Sequence, residues 1–382
     1  MGIISQSIHL IPKVVQYRLS RLKLIRPPIP DNLTFSVTHA CQSRCKTCNI
    51  WKLYLDKPEL KQKELKIDEI RKIFKNIGNS GNVYFFNISG GEPFLRADLP
   101  EIVDAACKYL KPKVIHTPTN AILSDLVLRQ TRKILEVMKK NKCNIPFTIK
   151  PSYDGIGKEH DEIRGIKGNF DNFLKTYKGL KELQKEFPNL DVGIGTVISQ
   201  FNHTRIKEIM KYGKSLKPDS YINEIAEQRS ELFTEKDKIT PTARDYNKAI
   251  QFFSKEIRKD MKKKKPLVRI TQAFRLVYYN LVVETLRKKT QVIPCYGGIA
   301  SVHINAYGDV WPCCILGYHK SMGNLRDVNY NFKKIWYSKR ANKIRRFIKK
   351  KKCHCPLANI SYTNILCNPK YMIRVIKNAL FP

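Results

Sequence analysis

The sequence predicts an α/β chain: a partial (βα)6 barrel of the TIM type, followed by a small C-terminal α+β domain rich in cysteine. Three observations predict it. From residue 33 to about 226, short β-branched or aromatic runs alternate with longer stretches of helical periodicity. Alternating strand and helix implies parallel strands joined by crossovers, and six such units make an incomplete eightfold barrel. After about residue 290 the pattern changes, and six of the 11 cysteines fall between Cys295 and Cys367.

The candidate strands are LTFSVTH (33–39), VYFFNIS (83–89), KVIHTPT (113–119), PFTIKPSY (146–153), VGIGTVIS (192–199) and YINEIA (221–226). Candidate helices lie between them near 67–77, 98–110, 122–141, 169–186 and 203–215. In such a barrel the loops at the C-terminal strand ends build the active site. Residues 236–290 read as a helical, basic connector with KKKK at Lys262 to Lys265 and an amphipathic piece from Leu267 to Leu286. The resulting division is a segment 1–32, a barrel 33–235, the connector 236–290 and a last domain 291–382.

Composition is that of an ordinary globular chain, 42% hydrophobic and 27% charged in 382 residues. The net charge of +38, from 71 basic and 33 acidic residues, favours anionic partners: nucleic acid, membrane surfaces or acidic peptides. An odd cysteine count and no signal sequence point away from secretion and toward a reducing cytoplasm, where clustered cysteines bind metal or react. No apolar run is long enough for a transmembrane helix.

The opening stretch interleaves Ile3, Ile4, Ile8, Leu10, Ile11, Val14 and Val15 with Lys13, Arg18, Arg21, Lys23 and Arg26. It reads as a basic amphipathic helix that either lies on an anionic membrane surface or packs on the domain. Gln6 stands where a myristoylation pattern needs Ser or Thr.

The chemistry starts at CQSRCKTC, Cys41 to Cys48, three cysteines spaced C-x3-C-x2-C with no fourth. Structural zinc takes four closed ligands, and His39 could complete such a set. A [4Fe-4S] cluster held by only three thiolates leaves one iron open, as a catalytic cluster requires. This loop follows the first strand, and SGGEP, Ser89 to Pro93, follows the second. Gly90 and Gly91 allow close backbone approach, and Glu92 can accept from an amino group.

Together THACQSRCKTCNIW, NISGGEPFLRADL, PTN at Pro118 to Asn120 and SYDGIGKEHDEIRGIKGNF at Ser152 to Phe170 resemble the radical S-adenosylmethionine (radical SAM) superfamily, over roughly residues 30–226. The resemblance implies a [4Fe-4S] cluster on Cys41, Cys45 and Cys48, with its fourth iron chelated by SAM. It implies reductive cleavage of SAM to a 5′-deoxyadenosyl radical that abstracts hydrogen from substrate, with a one-electron donor such as ferredoxin or flavodoxin. Gly90, Gly91, Glu92 and Pro93 would hold the methionyl amine, Ser152 and Arg164 the carboxylate, Asn120 the ribose region, and Val197 the adenine. Ala121 departs from the family's TNG. Each of the last four has an ordinary alternative: Ser152 a strand end, Arg164 a surface ion pair, Asn120 a turn, Val197 core.

CYGGIASVHINAYGDVWPCC, Cys295 to Cys314, reads as C-x12-G-x4-C with a β-hairpin turning at Gly308. With MGNLRD and FKKIW after it, it resembles the SPASM and Twitch extensions of radical SAM enzymes, which carry auxiliary iron-sulfur clusters. The later cysteines are too few for two fully ligated clusters, so one is expected, on Cys295, Cys313, Cys353 and Cys355, with Cys314 or Cys367 as substitutes. Zinc in a small ribbon is the alternative. Such a cluster either accepts an electron from the substrate radical, making the reaction an oxidation, or ligates substrate. Cys107 and Cys143, in or beside predicted helices, read as buried thiols.

The resemblance leaves the substrate open between a small molecule and a peptide or protein. The 32 residues before the first strand are too few for a separate leader-binding domain. The charge, with RRFIKKKK at Arg345 to Lys352, makes a nucleic-acid substrate the runner-up. A non-catalytic iron-sulfur carrier would need neither GGEP nor an open iron. An oxidation also needs a proton acceptor, and Tyr153, Asp154, His116, Glu224 and Glu227 all fall near C-terminal strand ends.

Overall fold

A computed structural model describes the backbone of residues 3–382 and the side chains of 12–265 and 269–382. The apolar face expected at Ile3 to Ile11, Gln6 and the first residues of the Leu267 to Leu286 stretch therefore lie outside the described side chains.

Six parallel strand positions, in two sheets, form the core: β1 Asn32–Thr38, β2 Phe85–Gly90, β3 Val114–Thr119, β4 Phe147–Pro151, then β5 Leu190–Val192 with β6 Ile194–Ile198, and β7 Tyr221–Ile225. The fifth expected strand is broken at Gly193. β5 pairs with β4, while β6 turns away to pair with β7 and touches β4 through the bridge of Ser152 to Gly195. That change of partner bends the sheet toward a half-closed barrel.

The strands form because β-branched and aromatic residues fall on alternate, buried positions. In β1, Leu33, Phe35 and Val37 are essentially without exposure. Helices return over the outer face for an equally local reason. Ile67–Gly78 starts with Glu69 accepting from the Lys66 N–H and buries Ile70, Ile73, Phe74 and Ile77, spaced i, i+3, i+4, i+7. Phe74 meets Phe35 and Phe86 edge to face, each with ring centroids 5.3 Å apart. Truncating Phe74 to Ala would cost about 3–5 kcal/mol.

The sequence placed its hairpin in a second domain, and here the chain does something not expected. β8 Ser301–Ile304 pairs in parallel with β1, matching Asn32 to Ser301 and Phe35 to Ile304. β9 Asp309–Trp311 folds back antiparallel on β8, with Gly308 at φ +89°, and β10 Gly323–Asn324 pairs with β9. The hairpin thus continues the barrel sheet past its first strand. The connector forms helices Ala243–Lys262 and Pro266–Lys288.

The helix Ile3–Leu22 packs its last turns on the cysteine-rich region: Tyr17 is buried with Tyr296, Ile299, Cys314, Leu357 and Cys367, and Val14 lies against them. Among the described residues no helix is long and apolar enough to cross a membrane.

One sequence expectation is corrected. Cys107 and Cys143 are not thiols but a disulfide, with Cα atoms 6.2 Å apart. The helix Leu99–Ala105 ends in a π turn, Ala106–Leu110, that carries Cys107 round to the loop after the helix Ser124–Lys140, where Cys143 waits.

Candidate active site

A cavity of about 220 Å³ opens at the C-terminal ends of the strands. The loop after β1 brings Cys41, Cys45 and Cys48 to it, and the loop after β2 brings Gly90, Gly91, Glu92 and Pro93. Asn120 follows β3, Ser152 follows β4, Val197 lies on β6, and Arg164 ends the helix Lys158–Arg164. Every residue that the sequence assigned to cluster and SAM therefore lines one cavity.

The thiol loop is fastened from several sides. Arg44 and Lys46 N–H groups donate to the Arg164 and Ile163 carbonyls at 3.0 and 2.8 Å, and Asn49 N–H to Leu232 at 2.9 Å. At its start Glu64 accepts from Thr38 Oγ1 at 2.6 Å and from His39 N–H at 2.9 Å. Arg96, just past GGEPFL, donates to the Val37 and Leu65 carbonyls and pairs with Asp98 at 2.6 Å. Glu64 and Arg96 escaped the sequence reading because each also bonds backbone atoms distant in the chain, His39 N–H for Glu64 and the Val37 and Leu65 carbonyls for Arg96.

Burial, then Cys45 and Glu92, push the Cys41 thiol up to about 11, and burial and then Cys45 raise Cys48. The three sulfurs thus act on one another in a part-buried site. Ser43 Oγ stands 2.9 Å from Cys45 Sγ, and Asn120 Nδ2 stands 3.7 Å from Cys41 Sγ. His39 does not join them. Its ring is fully buried against Tyr307, centroids 5.1 Å apart, and does not line the cavity.

The glycines are needed for a reason other than ligand approach. A Cβ on Gly90 would fall 2.1 Å from the Thr38 carbonyl oxygen, and one on Gly91 2.2 Å from that of Ala40. The second loop is pressed against the first. Glu92 is buried and already accepts backbone N–H bonds, from Phe94 at 3.2 Å and Asn120 at 2.6 Å. Each carboxylate oxygen keeps a lone pair for a further donor. Burial lifts its pKa to about 7 against the pull of those bonds. Ala121, where the family pattern has glycine, sits at φ +58°, a strain of order 1 kcal/mol.

Arg164 is a buried ion pair rather than a surface one. Its Nη1 donates to Asp154 Oδ2 at 3.1 Å, leaving Nε without a partner among the described residues. Burial opposes its charge, but Cys45, Asp154 and Cys41 outweigh it. Asp154 in turn accepts from the Val197 N–H at 2.8 Å, so one carboxylate positions both Arg164 and β6.

Of the five residues considered as proton acceptors, Glu224 and Glu227 line the cavity. Tyr153, Asp154 and His116 do not. Glu227 is buried, with Arg229 Nη2 at 3.2 Å but outside hydrogen-bond geometry, so both carboxylate oxygens lack hydrogen-bond partners. Burial lifts its pKa to about 7.

Arg229 also lines a smaller cavity of about 60 Å³ with Glu231, His303, Cys313 and Cys314. Burial raises every thiol of the second group, and beyond burial Cys313 feels Cys295 and Cys353, Cys353 feels Cys295, and Cys355 feels Glu227, Cys313 and Cys295. Those four share one neighbourhood. Beyond burial Cys314 feels Arg229, Glu231 and Cys313, and Cys367 feels Arg18. Among the described residues no three His, Cys, Asp or Glu side chains converge as ligands of a single ion. Thiolates on separate irons of a cluster need no such convergence, and the donor set fits an iron-sulfur group better than zinc.

A half-closed barrel whose loops gather three cysteines, GGEP and a paired arginine at one mouth defines a radical SAM enzyme. Residues 35–231 match the radical SAM superfamily, and the chain belongs to it. Residues 295–356 match the SPASM iron-sulfur cluster-binding domain. The chain accordingly takes a [4Fe-4S] cluster and SAM in the barrel and auxiliary iron-sulfur in the SPASM domain.

It is 24% identical over 308 residues to the antilisterial bacteriocin subtilosin biosynthesis protein AlbA of Bacillus subtilis (strain 168), covering 79% of this chain and 59% of AlbA. It is 25% identical over 329 residues to the AdoMet-dependent heme synthase of Oleidesulfovibrio alaskensis, covering 80% of this chain and 74% of that protein. In fold it is similar to Streptococcus suis SuiB bound to precursor peptide SuiA, with a TM-score of 0.58 at 18% identity, over 83% of this chain and 67% of SuiB.

Proposed function

We propose that this enzyme oxidises a peptide by hydrogen abstraction in the cavity at the barrel mouth; an auxiliary cluster, which Cys295, Cys313, Cys353 and Cys355 would hold, would supply the electron acceptor. The observation that carries the reading is the convergence of Cys41, Cys45, Cys48, Glu92 and Arg164 on one side of that cavity with Glu224, Glu227 and Arg229 on the other. When bound, the cluster and SAM supply a carbon-centred radical able to take an unactivated hydrogen.

In this reading Cys41, Cys45 and Cys48 hold three irons. Glu92 and the backbone of Gly90 to Pro93 receive the SAM amine, Ser152 and the free edge of Arg164 its carboxylate, and Asn120 and Val197 its nucleoside. Cys295, Cys313, Cys353 and Cys355 hold the auxiliary cluster. Glu227, which lines the cavity and neighbours Cys355, takes the proton that leaves substrate with the electron. Ferredoxin or flavodoxin serves as electron donor. The work divides among barrel 33–235, connector 236–290 and auxiliary domain 291–382.

AlbA and the peptide-bound SuiB support a peptide; the heme synthase supports a small molecule as second reading. Nucleic acid draws no support from these relatives. The test is anaerobic reconstitution followed by dithionite, SAM and either precursor-type peptides or porphyrins. Substrate-dependent 5′-deoxyadenosine with a peptide product lighter by two hydrogens supports the first reading, and porphyrin turnover supports the second. No 5′-deoxyadenosine from protein with intact clusters overturns both.

A further inference from the structure

A cavity of about 820 Å³ lies away from the barrel mouth, between the chain after the first helix and the helix Lys339–Lys349. Arg21, Lys23 and Arg26 line one wall, and Lys339, Arg345, Arg346 and Lys349 the other. No acidic side chain lines it. Among the described residues none of these seven cations has a carboxylate partner.

Three of the four arginines are held in place by other means. Arg345 donates from Nε to the Gly298 carbonyl at 2.6 Å and from Nη2 to the Trp336 carbonyl at 2.8 Å, with its guanidinium 4.4 Å from the Trp336 ring centroid. Arg21 donates to the Cys295 carbonyl at 3.1 Å, and Arg26 stands over Tyr337. Fixed cations without counter-charges form a built anion site, since their side-chain order precedes any ligand. Burial of Arg345 without an anion pushes its pKa down to about 10, so a carboxylate there would relieve an existing penalty. Leu24 and Ile25, 69% and 41% exposed, add apolar contact on the same wall.

We propose that this groove docks an acidic segment of the peptide substrate, with Glu or Asp side chains on the seven cations and interspersed apolar ones on Leu24 and Ile25. The inference rests on the peptide reading above. The barrel cavity, at 220 Å³, is small for a peptide chain, and the groove provides for a part that does not react.

The test is fluorescence anisotropy with the reconstituted enzyme and a labelled peptide of alternating Glu and Leu. Two variants carry the same charge change: Lys23→Glu with Arg26→Glu and Arg346→Glu in the groove, and Lys113→Glu with Lys139→Glu and Lys178→Glu on exposed positions elsewhere. The groove variant should bind about tenfold more weakly and the second variant within about twofold of the parent. Equal weakening in both would assign the binding to overall charge and overturn the proposal. A larger loss of binding to a labelled RNA oligonucleotide, or to phosphatidylserine vesicles, than to the peptide would overturn it in favour of that partner. If peptides trigger 5′-deoxyadenosine formation equally in both variants with unchanged KM, the groove fails while the peptide reading stands. If no peptide triggers it and a porphyrin does, the peptide reading fails, and the groove's role in substrate docking with it.

Discussion

The two groups of cysteines use the same ligand atom, at similar burial, beside spaces of different size. Cys41, Cys45 and Cys48 face a 220 Å³ cavity, beside a paired arginine and a buried carboxylate that still has lone pairs to offer. Cys313 and Cys314 touch only 60 Å³, and Tyr17, Tyr296, Leu357 and Ile360 pack against the second group, whose Cys295, Cys313, Cys353 and Cys355 are part-buried like the first three. A thiolate set open on one side suits a cluster that binds a cofactor. One packed beside a smaller space, with aromatic and aliphatic side chains around it, suits a cluster that passes electrons.

The strongest way to break this contrast is to remove the first group. Replacing Cys41, Cys45 and Cys48 with Ala should abolish 5′-deoxyadenosine formation and lower iron from about eight to about four per chain. Loss of iron from both regions would mean that they are not independent. Cys355→Ala should do the reverse, reducing iron toward about four while SAM cleavage persists and product oxidation fails. Cys367→Ala, whose thiol is perturbed by burial and Arg18 and by none of the other thiols, should leave the iron count unchanged.

Smaller effects sharpen the comparison. Asp154→Asn leaves Arg164 buried without its counter-charge and should cost about 3–5 kcal/mol, read by denaturant unfolding, with weaker SAM binding. Glu227 lies between the two groups, and its raised pKa carries a sign. The folded chain keeps a proton that the unfolded chain releases between 4.5 and about 7, so its stabilising share is full below that window and lost as pH rises through it. Glu227→Gln should flatten a stability decline of order 3 kcal/mol across that range, measured by unfolding at several pH values. Least of all, Tyr17→Phe removes a hydrogen bond to Asp31 from the helix that covers the second group, and should cost about 1 kcal/mol.

The six strand positions and the cavity-lining residues were legible because each depends on local pattern: alternation at Leu33, Phe35 and Val37, or the short motif from Cys41 to Cys48. What stayed hidden depends on chain segments meeting from afar. Cys107 finds Cys143 only because a π turn redirects the helix end, and spacing alone does not reveal that. Arg164 finds Asp154 across the loop that both flank, and Glu64 finds the backbone of His39. Gly193 looked like one more strand residue, yet it is where the sheet changes partner.

The pairing of β8 with β1 bears on how the molecule is made. During synthesis from the N-terminus, the first strand emerges early, carrying the cysteine loop at its end, and gains β2 within its own neighbourhood of the chain. Its other edge stays bare until Ser301 to Ile304 emerge. An unpaired strand edge is a template for unwanted association. The last third of the chain therefore acts as an internal chaperone for the first strand, and a nascent chain halted before the hairpin would be the aggregation-prone species.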